Sequence, residues 1–250
     1  MLDSSQGSPA GGGGGSWDRI SDDLPQNLWV SRVIASEHQK ERVYVTLNGY
    51  RNDDFAAYVY VSEDRGISWK SINKNLPNSP VNVIREDPNN DQILYLGNDQ
   101  GVYVSFDQGQ KWQPFNKGLA TAAVHDLVVQ PEANHLLVGT HGRSIYKADL
   151  APFQKLNNAF LKQELALLDP EKVKHSKRWG SSYSSWRKVF GPKTTFTAFA
   201  KTSGAYEMQI KDVKGTVLFS QKGTLDVGFN LVVYALEKDA NGIKNYNKKI

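Results

Sequence analysis

The sequence predicts an all-β protein, with repeated four-stranded sheets first and a small β-sandwich-like module after them. Three observations carry this expectation. One phrase recurs three times at the spacing of a four-stranded unit. A turn motif recurs twice in register with that phrase. Between these landmarks, short runs of alternating apolar residues are bounded by Pro, Asn, Asp and Gly, as strands with two distinct faces require.

The recurring phrase is W-D-R-I-S-D-D-L-P from Trp17, W-K-S-I-N-K-N-L-P from Trp69 and W-Q-P-F-N-K-G-L-A from Trp112. Each copy has Ile or Phe three residues after the Trp and Leu at the seventh position after it. The spacings of 52 and 43 residues suit a four-stranded propeller blade, one copy carrying an insertion. The segment after each phrase repeats too, at Val30–Ser36, Val81–Asp87 and Val124–Gln130, and each of these reads as a strand. Within the middle repeat the spacing predicts strands over about 81–86, 92–97, 101–105 and 111–115. Asp87–Asp91 and Asn98–Gly101 supply its first two turns.

The third turn is the informative one. Ser62, Asp64, Gly66 and Trp69 fit S-x-D-x-G-x-x-W, and so do Ser105, Asp107, Gly109 and Trp112. Such a motif folds its own hairpin. The Ser and Asp side chains hydrogen-bond nearby backbone N–H groups, Gly takes a conformation that a β-carbon disfavours, and Trp packs its large surface between sheets. The eight residues are therefore expected to be structural Asp-box positions. Asp64 and Asp107 sit in equivalent turns of successive blades and not in one cleft, so they do not read as the converging carboxylate pair of a glycosidase.

These motifs resemble the BNR/Asp-box repeat family of sialidases, some endoglucanases and sortilin/Vps10-type receptors. The segments Tyr58–Trp69, Pro80–Pro88, Tyr95–Ser105, Val124–Pro131 and Gly139–Tyr146 resemble the last blades of bacterial sortilin-like proteins labelled "glycosyl hydrolase, BNR repeat". In that family a FlgD-like immunoglobulin-type module comes next, and Tyr206–Asp212, Gly215–Ser220 and Gly228–Leu236 are similar to it. The resemblance implies a partial β-propeller of about two complete four-stranded blades plus incomplete ones. It also implies a secreted, periplasmic or cell-surface setting in a bacterium. Trp17–Ser21 is expected to be the outermost strand of a blade whose other strands are absent, and 124–150 a three-stranded repeat without an Asp box. The expected organisation is a Gly-rich leader over 1–16, blades over 17–150, a linker with a short helix over 151–185, and the tail module over 186–250. Apolar spacing places that helix at Asn158–Leu168, ended by Asp169 and Pro170.

Composition narrows the chemistry. The hydrophobic fraction is 39% and there are no cysteines, which removes disulfides, thiolate metal sites and cysteine nucleophiles. No apolar run is long enough to span a membrane. Lysines and arginines number 13 against 18 acidic residues through Leu150 and 17 against 8 beyond it, a split that favours two units. The basic residues are scattered and not interleaved with aromatics, so nucleic acid is not an expected partner. Serine-hydrolase and phosphate-binding signatures are absent, no cofactor or metal is expected, and no catalytic residue is assigned.

Candidate binding residues lie on the first strand of each repeat and in blade-linking loops. Arg32 aligns with the His125–Asp126 pair two blades on, and the three could form a polar inner surface. His125 and Asp126 are neighbours on a strand, however, and so point to opposite faces. His141 and Arg143 occupy the tight T-H-G-R turn, where tying the last blade to its neighbour is the simpler role. Tyr50, Arg51, Asp53 and Asp54 belong to an insertion suited to sugar or peptide contact. His38, His135 and His175 read as solvated. Open sheet faces call for partners, either the remaining blades on another chain or a second copy of this one. The leading expectation is a non-catalytic segment binding a peptide, protein or glycan. The alternatives are a glycoside hydrolase whose catalytic residues lie in other blades, and a subunit of a bacterial surface or secretion assembly.

Overall fold

The computed structural model describes residues 17–154 and 191–236 and, between them, 156, 160, 162–168, 170, 173, 177, 179, 184 and 186. The leader 1–16, His175, most of the Lys174–Trp186 loop and the stretch from 237 onward lie outside the described residues.

The chain is all-β, and its described residues form three blade-like antiparallel sheets followed by a small two-sheet module. The first blade contains β1 (Trp29–Ala35), β2 (Val43–Gly49), β3 (Asp54–Ser62) and β4 (Lys70–Ser71) in that spatial order. The second repeats the pattern with β5 (Val81–Asp87), β6 (Asn90–Asn98), β7 (Gly101–Ser105) and β8 (Trp112–Pro114). The third has three strands, β9 (Val124–Gln130), β10 (His135–Thr140) and β11 (Ile145–Asp149). Alternation explains why the sheets stack. In blade two, Ile84, Leu94, Leu96, Tyr103 and Trp112 share the face that meets Tyr44, Val59, Val61 and Ile72 of blade one. Its other face, with Val83, Tyr95, Val102 and Val104, meets Val124, Leu127, Leu136 and Val138 of blade three. A strand buried on both faces loses polar alternation, and β6 and β7 accordingly read as nearly continuous apolar runs.

The tail combines β12 (Leu165–Leu167), β13 (Thr194–Ala200) and β16 (Gly228–Tyr234) in one sheet, and β14 (Gly204–Lys211) with β15 (Val217–Leu225) in another. It shares the blade core through an aromatic cluster. Phe229 lies 5.7 Å from Phe106, 5.0 Å from Phe153 and 5.2 Å from Phe199 between ring centroids.

Two local expectations are corrected. Trp17–Ser21 forms no strand, because a strand exists only with a hydrogen-bonding partner, and no described strand lies beside it. The helix expected at Asn158–Leu168 gives way at Leu165–Leu167 to strand β12, paired with Ala198–Ala200 of β13; Phe160 is helical while 157–159 and 161 lie outside the described residues, and a further short helix, α1 (Ala151–Gln154), precedes it. The apolar residues there satisfied a helical period, but alternate residues Ala166 and Leu168 are the buried ones.

Candidate functional site

The Asp-box turns are built as their chemistry demands. Ser62 Oγ donates to Asp64 Oδ1 at 2.7 Å and accepts from the Gly66 N–H at 2.7 Å. Ser105 Oγ does the same with Asp107 at 2.7 Å and Gly109 at 2.8 Å. Gly66 and Gly109 have φ of +93° and +83°. A β-carbon on them would stand 2.7 Å from Ile20 Cδ1 and 2.8 Å from Ile72 Cδ1 respectively. The adjacent tryptophans bond the same two residues, Trp69 Nε1 to the Ile20 carbonyl and Trp112 Nε1 to the Ile72 carbonyl, both at 2.7 Å. The W-x-x-I phrase is thus an interblade latch: the residue three after one Trp receives the Gly and Trp of the next Asp box.

Asp64 and Asp107 are engaged in separate hairpins. Hydrogen bonds from the Ser68 hydroxyl and N–H and from the Ser62 hydroxyl lower the Asp64 pKa to about 2. A depressed folded pKa favours folding above the ordinary carboxylate range, and that contribution fades as pH falls towards about 2. The expected result is an Asp64 carboxyl that titrates well below the ordinary carboxylate range in a carbon-detected NMR pH series, and a Ser68→Ala variant that moves its midpoint upward.

First strands of successive blades lie side by side, joined by a repeated contact. Ser31 Oγ donates to the Val81 carbonyl at 2.8 Å and Asn82 Nδ2 to the Val124 carbonyl at 3.1 Å. Positions 31 and 82 sit in equivalent breaks of the strand register. A β-bulge re-aims a side chain, here along the blade-to-blade direction. Further along these strands Arg32 Nη2 meets Asp126 Oδ1 at 2.7 Å, and Arg85 Nη2 meets the same oxygen at 3.2 Å. Arg85 Nε also donates to the Leu127 carbonyl at 2.7 Å. Two guanidinium groups therefore share one carboxylate, leaving an excess of positive charge. Burial and then the charge of Arg32 lower the Arg85 pKa, against the pull of Asp126. Arg32 Nε is buried without a hydrogen-bond partner among the described residues. The structure thus brings Arg32 and Asp126 together across a whole intervening blade. Arg85, the residue that spans the gap, was not singled out by the sequence. Its signal is weak: it sits two residues beyond the position aligned with Arg32, which in blade two is the buried Val83.

The insertion forms a separate group. Tyr50–Asn52 make a 3₁₀ turn closed by Asp53 in the left-handed region, φ 56°. Arg51 stacks on the Trp29 ring at 4.1 Å and Tyr50 meets Phe55 edge-on at 5.9 Å, which leaves an exposed aromatic platform. Asp54 accepts the Ala56 N–H and the Tyr58 hydroxyl, which hold its pKa below the usual carboxylate value. His125 stacks on His141 at 5.0 Å, and both are exposed. The His141 N–H donates to the Ala123 carbonyl, and the Arg143 carbonyl accepts the Tyr146 hydroxyl. His38 is not simply solvated: its Nε2 donates to the Asp87 carbonyl at 2.8 Å. His135 opens β10. Among the described residues no three His, Cys, Asp or Glu side chains group to hold a metal.

The family model described as "Sortilin-Vps10: Sortilin, neurotensin receptor 3" matches residues 57–158. Among solved structures the chain is similar to a GH74 enzyme of Niastella koreensis, at 15% identity and TM-score 0.38, covering 68% of this chain and 28% of that one. It is also similar to an ancestral GH74 enzyme, at 16% identity and TM-score 0.40, covering 79% and 27%. The GH74 xyloglucanase from Xanthomonas campestris is similar at 12% identity and TM-score 0.40, covering 80% and 29%. The chain spans less than a third of the length of these enzymes. No curated protein matches.

Proposed function

We propose that this chain is a non-catalytic recognition segment of an extracytoplasmic, sortilin-like bacterial propeller protein, and that it binds peptides through the first strands of its blades. The observation that carries the reading is the Arg32–Asp126–Arg85 cluster. Asp126 neutralises one of two converging guanidinium groups, so a carboxylate-bearing peptide finds a charge to pair with and planar donors suited to bidentate contact. The family description, which includes a neurotensin receptor, supports a peptide ligand and a secretory setting. No helix among the described residues is long and apolar enough to cross a membrane. The aromatic platform of Trp29, Tyr50, Arg51 and Phe55 would add stacking contacts nearby in sequence to β1.

The test is an array of peptides with free carboxylates set against their amidated counterparts. Arg32→Ala and Arg85→Ala are each expected to weaken capture of the acidic set about tenfold, the scale for losing one charge-assisted contact, with the loss shrinking in high salt. Equal capture of carboxylate and amide forms, or indifference to both arginine variants, would refute the reading.

A further inference from the structure

We infer that the third blade is completed by a second copy of this chain, which lends its Trp17 phrase as the missing fourth strand. The two blade interfaces differ at one place. Where blades one and two meet, Trp112 plugs the space among Val59, Ile72, Leu94, Leu96 and Tyr103. By the strand registers, the corresponding residues where blades two and three meet are Val102, Phe115, Leu136, Val138 and Tyr146. These five line a cavity of about 640 Å³. Tail residues, Phe229 and Leu231 among them, close its far side. The cavity thus occupies the position of an Asp-box tryptophan, and β11 has no outer neighbour in its sheet among the described residues.

Among the described residues Trp17 has no socket. Trp17 is 98% exposed, whereas Trp112, its equivalent in the phrase, is 1% exposed. Trp17 cannot reach the cavity of its own chain: Ile20 is held by Trp69 on blade one, and blade two stands between. Placed by the β7–β8 register, in which Ser105, Val104 and Tyr103 pair with Trp112, Gln113 and Pro114, the phrase of a second copy sets Trp17 opposite Ala148, Asp18 opposite Lys147 and Arg19 opposite Tyr146. Trp17 then shares the cavity face with Leu136 and Val138, its Nε1 is directed at the Phe115 carbonyl as the latch requires, and Asp18 meets the opposite charge of Lys147 across the strand pair.

The open faces agree. Val128, Leu137 and Ile145 of blade three are exposed, while their equivalents at the first interface, Ile34, Tyr44 and Val59, pack against blade two. Val33, on the matching face of blade one, is exposed as well. His125 occupies the position from which Ser31 and Asn82 each bond the next blade, and the Val30 carbonyl of a second copy would be its acceptor. The same head-to-tail contact made twice joins the three described blades of each chain into one closed ring, within the usual four to eight blades.

The absence of native cysteines makes the test clean. An Asp18→Cys variant mixed with a Lys147→Cys variant is expected to form a heterodimeric disulfide on mild oxidation, since paired strand residues lie within bridging distance. Neither variant alone should form it. Light scattering should give the mass of two 27.9 kDa chains. Trp17→Ala, whose side chain touches little in a single chain, should keep the β-sheet circular dichroism and weaken dimerisation about thirtyfold, the scale of losing a buried interface tryptophan. A single-chain mass at every concentration, a dimer indifferent to Trp17→Ala, or a bridge formed within one chain of the Asp18→Cys/Lys147→Cys double variant would overturn the assignment. Failure here leaves the peptide reading standing, since Arg32 and Arg85 belong to one chain.

Discussion

Replacing Trp112 with alanine is expected to remove about 3–5 kcal/mol of stability, the range for deleting a fully buried large aromatic. The total for a domain is about 5–15 kcal/mol, so the variant should populate the unfolded state visibly at modest urea. The size of the effect comes from where the ring sits. Trp112 is buried between two sheets, its Nε1 bonds the Ile72 carbonyl at 2.7 Å, and its backbone N–H and carbonyl are both held by Asn75 at 2.8 Å. Collapse of the cavity is opposed by strands on both sides, so little of the loss is recovered. Trp69 makes the same latch to Ile20 but is only partly buried against Leu24, Val45 and Leu47. Trp69→Ala should cost about 1–2 kcal/mol, in proportion to the smaller area it covers. Urea denaturation with a common m-value checks both, and equal costs for the two tryptophans would contradict the burial gradient.

The gradient was not readable from the sequence, although the motif was. Two copies of S-x-D-x-G-x-x-W name their Ser, Asp, Gly and Trp in advance, because every contact in the turn is local and its geometry is set by residue type. Strand limits in the middle repeat were legible for the same reason. The expected 81–86, 92–97, 101–105 and 111–115 compare with 81–87, 90–98, 101–105 and 112–114, since Gly, Asn, Asp and Pro punctuate each end. What failed depends on partners. Trp17–Ser21 carries the phrase that forms a strand elsewhere, but no described strand lies beside it to pair with. Leu165–Leu167 has helical spacing but is claimed by the edge of β13. Arg85 meets Asp126 across 41 residues of sequence, and its long side chain reaches past the aligned position, which no repeat period reveals. The Arg32–Asp126 pair was half legible: alignment set the two on equivalent strand positions, but only the curvature of the blades brings them to 2.7 Å.

Asp87 is the place where such a long-range contact matters most for the fold. Its side chain is fully buried. The carboxylate accepts the Tyr95 hydroxyl at 2.7 Å, the Asn89 N–H at 2.8 Å and the Gln154 amide at 3.1 Å. Tyr95 is itself buried in the interface between blades two and three, and burial raises its pKa well above the ordinary value, so the hydroxyl stays a donor across the working pH range. Asp87→Ala strands that hydroxyl and the Gln154 amide together. At about 1–3 kcal/mol for the buried Tyr95 hydroxyl left unpaired, and less for the half-buried Gln154 amide, the expected loss is about 2–4 kcal/mol. Tyr95→Phe removes one donor and keeps the acceptor occupied by the others, so about 1 kcal/mol is expected. The double variant should cost less than the sum, because the Tyr95 donor is no longer there to be stranded. Gln154 lies in α1, where the chain leaves the blades for the tail, so Asp87→Ala should also speed amide exchange over Leu150–Gln154 more than over β6 or β7. Uniform acceleration across all three would mean that the carboxylate supports the blade as a whole, and that the exit of the chain is held by its apolar packing alone.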